Sequence, residues 1–278
     1  MTDVVGHLVG VGPMLSVRTK AGDVVEIATA DVVSMRALPE IPVRNPDIRR
    51  LENAAAMAWP GVEQHWLDGW LLRSAGGHTY RANSAVPLEV SATLDAVPAI
   101  VDWYAQRGLP PLLAVPDRLL RLPADTPIER PTAVMVRDVS DAPDPTVTLT
   151  SRPDDEWLAL YRRDVPVEVL TAVVGGEVVF GSRAGAAVGR AAVTDAPDGT
   201  RWVGLSAVHV TEDQRRRGHA RALCSALLAW GAEHGATRAY VQVMTDSGAA
   251  ISLYESMDFT PHHQCRYVNL ESVGGRRV

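Results

Sequence analysis

One stretch constrains the fold of this chain more than any other: a β-branched apolar run, an arginine- and glycine-rich turn, and a helix. Residues 205–210 read LSAVHV and residues 215–220 read RRRGHA. A strand that enters a helix through such a turn brings several unpaired backbone N–H groups and the positive helix end together. That arrangement is suited to binding a phosphate. The sequence therefore predicts an α/β domain with an anion site in this stretch.

Composition narrows the classes of protein further. The chain has 278 residues, of which 46% are hydrophobic, so two or three domains with real cores can form. A net charge of −6 argues against bulk binding to nucleic acid or to a membrane surface. Cys224 and Cys265 have neither a disulfide framework nor a metal-ligand spacing. We expect a cytoplasmic protein without nucleic-acid or membrane partners, and the arginine- and alanine-rich composition is typical of a GC-rich bacterial genome.

Three segments follow one another along the chain. Residues 1–42 contain short alternating runs separated by glycine turns, which predict a small β-barrel followed by a proline-rich linker. Residues 46–140 mix helix and strand patterns. Residues 145–278 predict the order β-α-β-β-β-α-β-α-β, which indicates an α/β domain with a mixed sheet.

Two hairpins are predicted around diglycine turns, since glycine adopts the positive φ that tight turns require. The first, around Gly76–Gly77, joins strands at residues 69–74 and 78–83. The second, around Gly175–Gly176, joins a strand at residues 170–174 to the strand that follows.

Two motifs of the last segment resemble those of the GCN5-related N-acetyltransferases. Residues 215–220 are similar to the family's (Gln/Arg)-x-x-Gly-x-(Gly/Ala) signature. Residues 250–259, AISLYESMDF, resemble its Ala-x-x-Leu-Tyr-x-x-x-Gly-Phe ending. The resemblance covers about the last half of the chain, and it implies a mixed β-sheet flanked by helices with acetyl-CoA as cosubstrate.

The earlier segments carry weaker resemblances. Residues 46–140 resemble the amino-terminal half of some two-lobed bacterial acetyltransferases, which implies a partial, degenerate copy of the same fold. No phosphate-binding turn occurs in this half, so it is expected to supply packing and part of the acceptor groove. The first segment resembles an SH3-like domain.

The resemblance assigns the pyrophosphate of acetyl-CoA to the arginine-glycine turn, although a solvated basic turn is the alternative. The expected phosphate ligands are Arg215, Arg216, Arg217, Gly218, His219, Ala220 and Arg221. The pantetheine arm is expected along the backbone of the preceding strand. The residues implied for that arm are Val208, His209, Val210, Ser247 and Ser252, with Ser247 standing where the family often has asparagine.

Tyr254, in the Leu-Tyr match, is the candidate general acid. Acyl transfer to an amine expels the CoA thiolate, whose conjugate acid should have a pKa of about 8.5. A phenol, with a pKa of about 10, can protonate that sulfur without being ionised at neutral pH. A core tyrosine on a helix face is the alternative.

The general base is left open. Many family members carry a carboxylate where this chain has Ser206, which can hold a relay water, while His209 can act directly near neutral pH. Strand alternation predicts that Ser206 and Val208 share one face and that His209 lies on the other. His262 and His263 can line the acceptor pocket or lie exposed in a turn, and without a third ligand they make a poor metal site.

These features predict an acetyl-CoA-dependent N-acetyltransferase that transfers acetyl directly to the amine of a small molecule or a protein. No metal and no acetyl-cysteine are expected, and the sequence is compatible with a homodimer. A non-catalytic CoA-binding regulator or interaction protein is the alternative. The serine at position 206 supports that alternative, and the Leu253–Tyr254 pair opposes it.

Overall fold

A computed structural model describes residues 3–19, 21–35, 43–123, 126–139, 143–183 and 185–271 of the chain. The chain forms two compact units, residues 1–42 and residues 43–278.

The described part of the first unit contains one three-stranded antiparallel sheet. Its strands are β1 (Gly6–Gly10), β2 (Met14–Thr19) and β3 (Val24–Ala28). A short 3-10 helix, Thr29–Asp31, follows β3. The predicted final strand of a barrel falls partly on residues outside the described ranges, so closure of a barrel stays a prediction.

The second unit contains an eight-stranded sheet and a three-stranded sheet. Its helices are α1 (Asn45–Ala58), α2 (Val97–Ala105), α3 (Asp155–Tyr161), α4 (Val167–Thr171), α5 (His219–Glu233) and α6 (Gly248–Glu255). Its strands are β4 (Glu63–Leu67), β5 (Trp70–Ser74), β6 (Val86–Pro87), β7 (Leu112–Pro116), β8 (Glu129–Asp138), β9 (Thr148–Thr150), β10 (Glu177–Arg183), β11 (Ala187–Asp195), β12 (Arg201–Val210), β13 (Arg238–Met244) and β14 (Thr260–Asn269). The large sheet has the order β7-β14-β8-β13-β12-β11-β10-β9, and the small sheet has the order β4-β5-β6.

Strands from the predicted middle and last segments share the large sheet. β7 pairs with β14, and β8 pairs with both β13 and β14. Residues 43–278 therefore form one compact unit, where the sequence suggests separate lobes at 46–140 and 145–278. Pairing between strands so far apart in the chain has no local signature in the sequence.

Helices α5 and α1 cover opposite faces of the sheet at β12. Val203 packs in a core with Leu223 of α5, whereas its neighbour Trp202 packs in a core with Leu51 of α1. Gly231 allows α5 to lie close to β12, because a Cβ there would lie 2.6 Å from Cβ of Val203. No helix in the described ranges is long and apolar enough to cross a membrane.

The hairpin predicted around Gly76–Gly77 is wrong. The hairpin of this region joins β4 to β5 through Asp68 and Gly69, whose φ values are 46° and 84°. Residues 75–84 instead form a loop that one side chain holds: Oδ1 of Asn83 accepts hydrogen bonds from the backbone N–H groups of Ala75 and Gly77, at 2.8 and 3.0 Å. Those groups are thereby satisfied without a strand partner.

The hairpin predicted around Gly175–Gly176 is also wrong. Its first strand falls partly on α4, and only the second strand, β10, forms. The backbone N–H of Val174 donates to the carbonyl of Met57 at 3.0 Å, which ties this segment to the end of α1. Tertiary contact with α1 therefore overrides the local turn signal.

Candidate active site

Strands β12 and β13 run parallel and then separate. Residues 202–205 pair with residues 238–241. Beyond that point β13 stays paired with β8 as far as Met244, and β12 stays paired with β11. No ladder joins residues 206–210 to β13 within the described structure. We call this opening, between residues 206–210 and 242–244, the β12–β13 gap; backbone groups that face it are available to an extended ligand.

A β-bulge at Ala207 accompanies the separation. Ala207 has a φ of 54°, in the left-handed region. Ser206 lies opposite Arg190 on β11, and His209 lies opposite Val188, so β12 has one more residue than β11 over this interval. A bulge of this kind bends the strand and increases its twist.

The bulge changes which side chains share a face. Directly opposed residues of an antiparallel pair lie on the same face, and Val188 and Arg190 are two residues apart on β11. Ser206 and His209 therefore share one face, while Val208 packs against the α5 core on the other. The predicted arrangement, with Ser206 and Val208 together and His209 opposite, is wrong because simple alternation does not allow for the extra residue.

The segment between β12 and α5, residues 211–218, forms the predicted turn, and we call it the anion turn. Arg216 and Gly218 adopt positive φ values of 60° and 81°. Ala222 is the first residue of α5 whose backbone N–H has a backbone acceptor, the carbonyl of Gly218 at 3.0 Å. The preceding N–H groups at the start of this 15-residue helix can therefore donate to an anion, and the helix dipole favours negative charge there.

Gly218 is required by its backbone conformation. Its φ of 81° is strained for any residue with a side chain, and a Cβ built there would meet no described atom within 4 Å. The space in front of this backbone is therefore open to a ligand.

The arginines at the anion turn and at the start of α5 differ in their ion pairs and hydrogen bonds. Arg215 lies 3.8 Å from Glu212, and Nη1 of Arg217 donates to Oε1 of Gln214 at 3.3 Å. Arg216 is exposed and has no partner in the described part of the chain. Arg221 donates to the carbonyl and to Oγ of Ser256, at 2.8 and 2.7 Å. Arg221 therefore fastens α5 to the end of α6.

Tyr254 lies on α6 and is only 8% exposed. Its ring meets Phe259 edge-on at 5.5 Å, in an apolar cluster that includes Leu205 and Val243. Burial raises the pKa of the phenol well above its ordinary value, and the neighbouring Cys224 adds a smaller effect in the same direction. The hydroxyl is therefore protonated at neutral pH, and it donates to no described residue.

The two serines expected beside the pantetheine arm lie at different places on α6. Ser247 is half-buried at the start of the helix, where its Oγ lies 3.4 Å from Oδ1 of Asp246. Ser252 is exposed on the helix itself. His219, at the start of α5, has a buried Nδ1 without a partner among the described residues.

Ser206 is the first residue of the gap, and it is bonded to a buried arginine. Nη1 of Arg190 donates to Oγ of Ser206 at 3.3 Å, and Arg190 is only 1% exposed. Its other N–H groups donate to the carbonyls of Leu170, Ala58 and Ala172, at 2.6, 2.8 and 2.9 Å. These carbonyls lie at the ends of α4 and α1, where the helix dipoles favour a cation.

Burial lowers the pKa of Arg190 to about 9, so the side chain stays charged at neutral pH. A cation beside Ser206 disfavours a second one, which lowers the pKa of an ammonium group that enters this space. Ser206 itself is not a base of useful strength, but its hydroxyl can position a water molecule.

His209 lies further along β12, toward the anion turn. Because of the bulge, the span from Ser206 to His209 matches only two residues of β11, Arg190 to Val188, which is about 7 Å along the strand. Burial lowers the pKa of its imidazole, and the positive charges of Arg215, Arg162 and Arg163 lower it further. His209 is therefore neutral at neutral pH and can accept a proton.

A buried chain of hydrogen bonds ends near the gap and was not predicted. Oε1 of Glu52 lies 2.9 Å from Nε2 of His263 and accepts a hydrogen bond from Nε2 of Gln242 at 3.3 Å. Nδ1 of His263 lies 2.8 Å from Nδ1 of His262. Gln242 directly follows Val241, the last residue of β13 that pairs with β12. The chain therefore reaches from α1 and β14 to the beginning of the gap.

The ionisation of this chain follows from its surroundings. Burial opposes ionisation of Glu52 most strongly, but the hydrogen bond and charge of His263, with the charges of Arg73 and Arg81, outweigh it and lower its pKa. Burial, helped by His263, lowers the pKa of His262 to about 4. The two histidines thus lie in β14 and not in an exposed turn, and no group able to hold a metal ion occurs among the described residues.

The burial of Glu52 could have been predicted from the sequence. It stands on a helix face with Ile48 and Ala55, where helical spacing predicts burial. A charged residue at such a position indicates a buried partner.

Two family models match the chain. The one described as "Probable histone acetyltransferase Rv0428c C-terminal" covers residues 45–268, and the one described as "Rv0428c N-terminal Sm-like domain" covers residues 1–36. The second describes the first segment as Sm-like and does not show the expected SH3-like domain, which stays a prediction. Alternating short strands predict a small β domain without distinguishing one such fold from another.

Known proteins similar to this chain are acetyltransferases by name. "Probable histone acetyltransferase Rv0428c" of Mycobacterium tuberculosis (strain ATCC 25618 / H37Rv) is 55% identical over 276 residues, which are 99% of this chain and 91% of that protein. "Uncharacterized N-acetyltransferase YobR" of Bacillus subtilis (strain 168) is 26% identical over 251 residues, which are 78% of this chain and 97% of that protein.

A solved structure shows the same fold. The GCN5-related N-acetyltransferase from Kribbella flavida aligns with a TM-score of 0.59 over 80% of this chain and 94% of that chain, at 16% identity. The likeness confirms the predicted mixed α/β fold, with a central mixed sheet flanked by helices.

Proposed function

This chain belongs to the Rv0428c family of N-acetyltransferases, and on that premise we propose that it transfers acetyl directly from acetyl-CoA to an amine. The observation that supports this most is the β12–β13 gap, which begins at Ser206 and runs toward the anion turn. An extended thioester with a pyrophosphate at one end has the shape and charge that this arrangement accommodates.

The donor half of the site fits acetyl-CoA. The free N–H groups at the start of α5, with Arg216 and Arg217, would hold the pyrophosphate, while the backbone of Val208 to Val210 would bond the pantetheine arm. Ser247, immediately before α6, and Ser252, within α6, would lie along the arm. This binding would hold the thioester at the beginning of the gap, where proximity to the amine supplies much of the rate.

The reaction proceeds through attack of the neutral amine nitrogen on the thioester carbonyl. The C–N bond forms, the C–S bond breaks, and a backbone N–H of β12 polarises the carbonyl oxygen. Tyr254 donates its proton to the departing sulfur. Burial makes the phenol a weaker acid, but the same surroundings raise the pKa of a thiol formed beside it, so the two effects offset each other.

The proton lost by the amine can leave by either of two routes. His209 is neutral at neutral pH and can take the proton directly. A water held by Ser206 is the second route, and it would carry the proton to solvent. The cation at Arg190 assists either route, because it favours the neutral form of the incoming amine.

Residues 46–140 would form much of the acceptor side, since α1 carries Glu52 and Trp59 follows it. The name of the Mycobacterium tuberculosis relative suggests a protein acceptor, and a small amine is the other class.

The test is release of free CoA thiol by the full-length protein with a panel of amines. We expect acetyl transfer to at least one amine, and turnover within about threefold of wild type for a variant with Cys224→Ala and Cys265→Ala, since no acetyl-cysteine forms. Loss of turnover in the double variant, with acetyl-CoA affinity kept, would contradict direct transfer.

A second candidate function is a CoA-binding regulator without catalytic activity. The serine at position 206, which offers no base of its own, favours it. Acetyl-CoA binding by wild type without acetylation of any amine in the panel would select the regulator. Tyr254→Phe would then behave as wild type does.

A further inference from the structure

Arg81 lies in the loop of residues 75–84, which contacts Trp59 at the end of α1, and hydrogen bonds hold the loop in place. Nδ2 of Asn83 donates to the carbonyls of His78 and Thr79, at 2.6 and 2.8 Å, in addition to the two bonds that its Oδ1 accepts. Oγ1 of Thr79 accepts from the backbone N–H of Ala82 and from the indole N–H of Trp59, both at 3.2 Å. The position of Arg81 is therefore fixed by its neighbours.

Three arginines converge on Trp59. Nη1 of Arg73 donates to the Trp59 carbonyl at 3.3 Å. The guanidinium of Arg190 lies 4.4 Å from the indole ring, and that of Arg81 lies 5.7 Å from it. Arg190 in turn bonds Ser206, so this cluster is continuous with the beginning of the gap.

Arg81 differs from the other two in the contacts of its Nε. The side-chain N–H groups of Arg73 and Arg190 donate to backbone carbonyls and to serine hydroxyls. Nε of Arg81 is buried and has no hydrogen-bond partner, and its guanidinium forms no ion pair within the described ranges. An unpaired buried donor on a cation is unfavourable, and it points to a ligand that would satisfy it.

Positive charge exceeds negative charge around Arg81. Among the buried described residues, Glu52 is the one carboxylate, whereas Arg73 and Arg190 are two guanidinium groups, so basic groups outnumber acidic ones before Arg81 is added. Glu52 is engaged by His263 and Gln242 and forms no ion pair with Arg81. Arg162 and Arg163 add positive charge beyond His209. A ligand with a negative group would balance this excess.

We propose that the amine acceptor carries a carboxylate and that Arg81 binds it, which makes the substrate a small amino acid-like amine. The inference rests on the proposed acetyl transfer to an amine. A guanidinium matches a carboxylate with two parallel hydrogen bonds, and the Trp59 ring supports its plane. The amine end of such a molecule would then reach the thioester at Ser206.

The test compares pairs of amines that differ in one carboxylate, such as 4-aminobutanoate with propylamine and glycine with methylamine. For wild type we expect kcat/KM at least tenfold higher for the carboxylated member of a pair. In Arg81→Gln this preference should vanish, with KM for acetyl-CoA and kcat/KM for the plain amine within about twofold of wild type. Arg81→Lys should keep part of the preference. Arg130→Gln, which removes an exposed arginine stacked on Tyr80, is the matched control and should keep all of it.

Binding gives a readout that does not depend on turnover. Calorimetric titration of the CoA-bound protein with carboxylated amines should give an affinity that Arg81→Gln weakens at least tenfold. Such binding without turnover would contradict the acetyl-transfer proposal and leave the carboxylate site standing. No preference in wild type, or an equal loss for both members of a pair in Arg81→Gln, would overturn the carboxylate site.

Discussion

Nη1 of Arg190 lies 3.3 Å from Oγ of Ser206, so a buried cation borders the place where β12 leaves β13. The same guanidinium bonds the carbonyl ends of α1 and α4. One side chain therefore joins two helices to the strand that forms one wall of the gap. This link connects the stability of the fold to the shape of the site.

Replacement of Arg190 by methionine should destabilise the protein. The substitution keeps much of the side-chain volume but leaves three buried carbonyls without their donors, which should lower the free energy of unfolding by about 2–4 kcal/mol. Urea unfolding of Arg190→Met measures the change. Arg217→Met, at an exposed position of the anion turn, is the control and should change stability by less than about 0.5 kcal/mol. A loss below about 1 kcal/mol in Arg190→Met would show that the guanidinium does not hold these elements together.

Gly218→Ala should weaken acetyl-CoA binding, and Gly199→Ala is its matched control. Both glycines have a φ of 81° and no described atom within 4 Å of a built Cβ, so each substitution should lower stability by about 1 kcal/mol through backbone strain. Only Gly218 lies at the start of α5. We therefore expect the Kd of acetyl-CoA to rise at least fivefold in Gly218→Ala and to stay within twofold in Gly199→Ala. Equal effects of the two substitutions on the Kd would argue against a phosphate site at this turn.

His262 should make stability depend on pH. Its pKa is lowered from 6.5 to about 4 by burial and by His263, so the unfolded chain binds a proton at pH values where the folded protein does not. Stability is therefore lost as the pH falls from about 6.5 to 4, by about 2–3 kcal/mol. Glu52, whose pKa is lowered, adds a further loss only as the pH falls through its ordinary value of 4.5.

Urea unfolding between pH 7 and pH 4 measures this dependence. His262→Gln should flatten the curve between pH 6.5 and 4, whereas His65→Gln, at an exposed position, should leave its slope unchanged. An identical slope in His262→Gln and wild type would contradict the buried position of His262.

The motifs around Gly218 and Tyr254 could be located from the sequence because each is local and its chemistry depends on neighbouring residues. The bulge at Ala207 could not, since an alanine gives no sign that it will adopt a positive φ. The contact between Glu52 and His263 joins residues 211 apart, and only the folded sheet brings them together. The hairpin at Asp68–Gly69 did have a local signal, because Asp-Gly favours a two-residue turn.

Protonation of the leaving thiolate by Tyr254 can be measured through the rate of thiol release in Tyr254→Phe. The substitution removes only the hydroxyl, so acetyl-CoA affinity should stay within about twofold. We expect kcat to fall about 100-fold. Tyr161→Phe, which removes a buried hydroxyl on α3, should keep kcat within about twofold of wild type. An unchanged kcat in Tyr254→Phe would contradict this role of Tyr254.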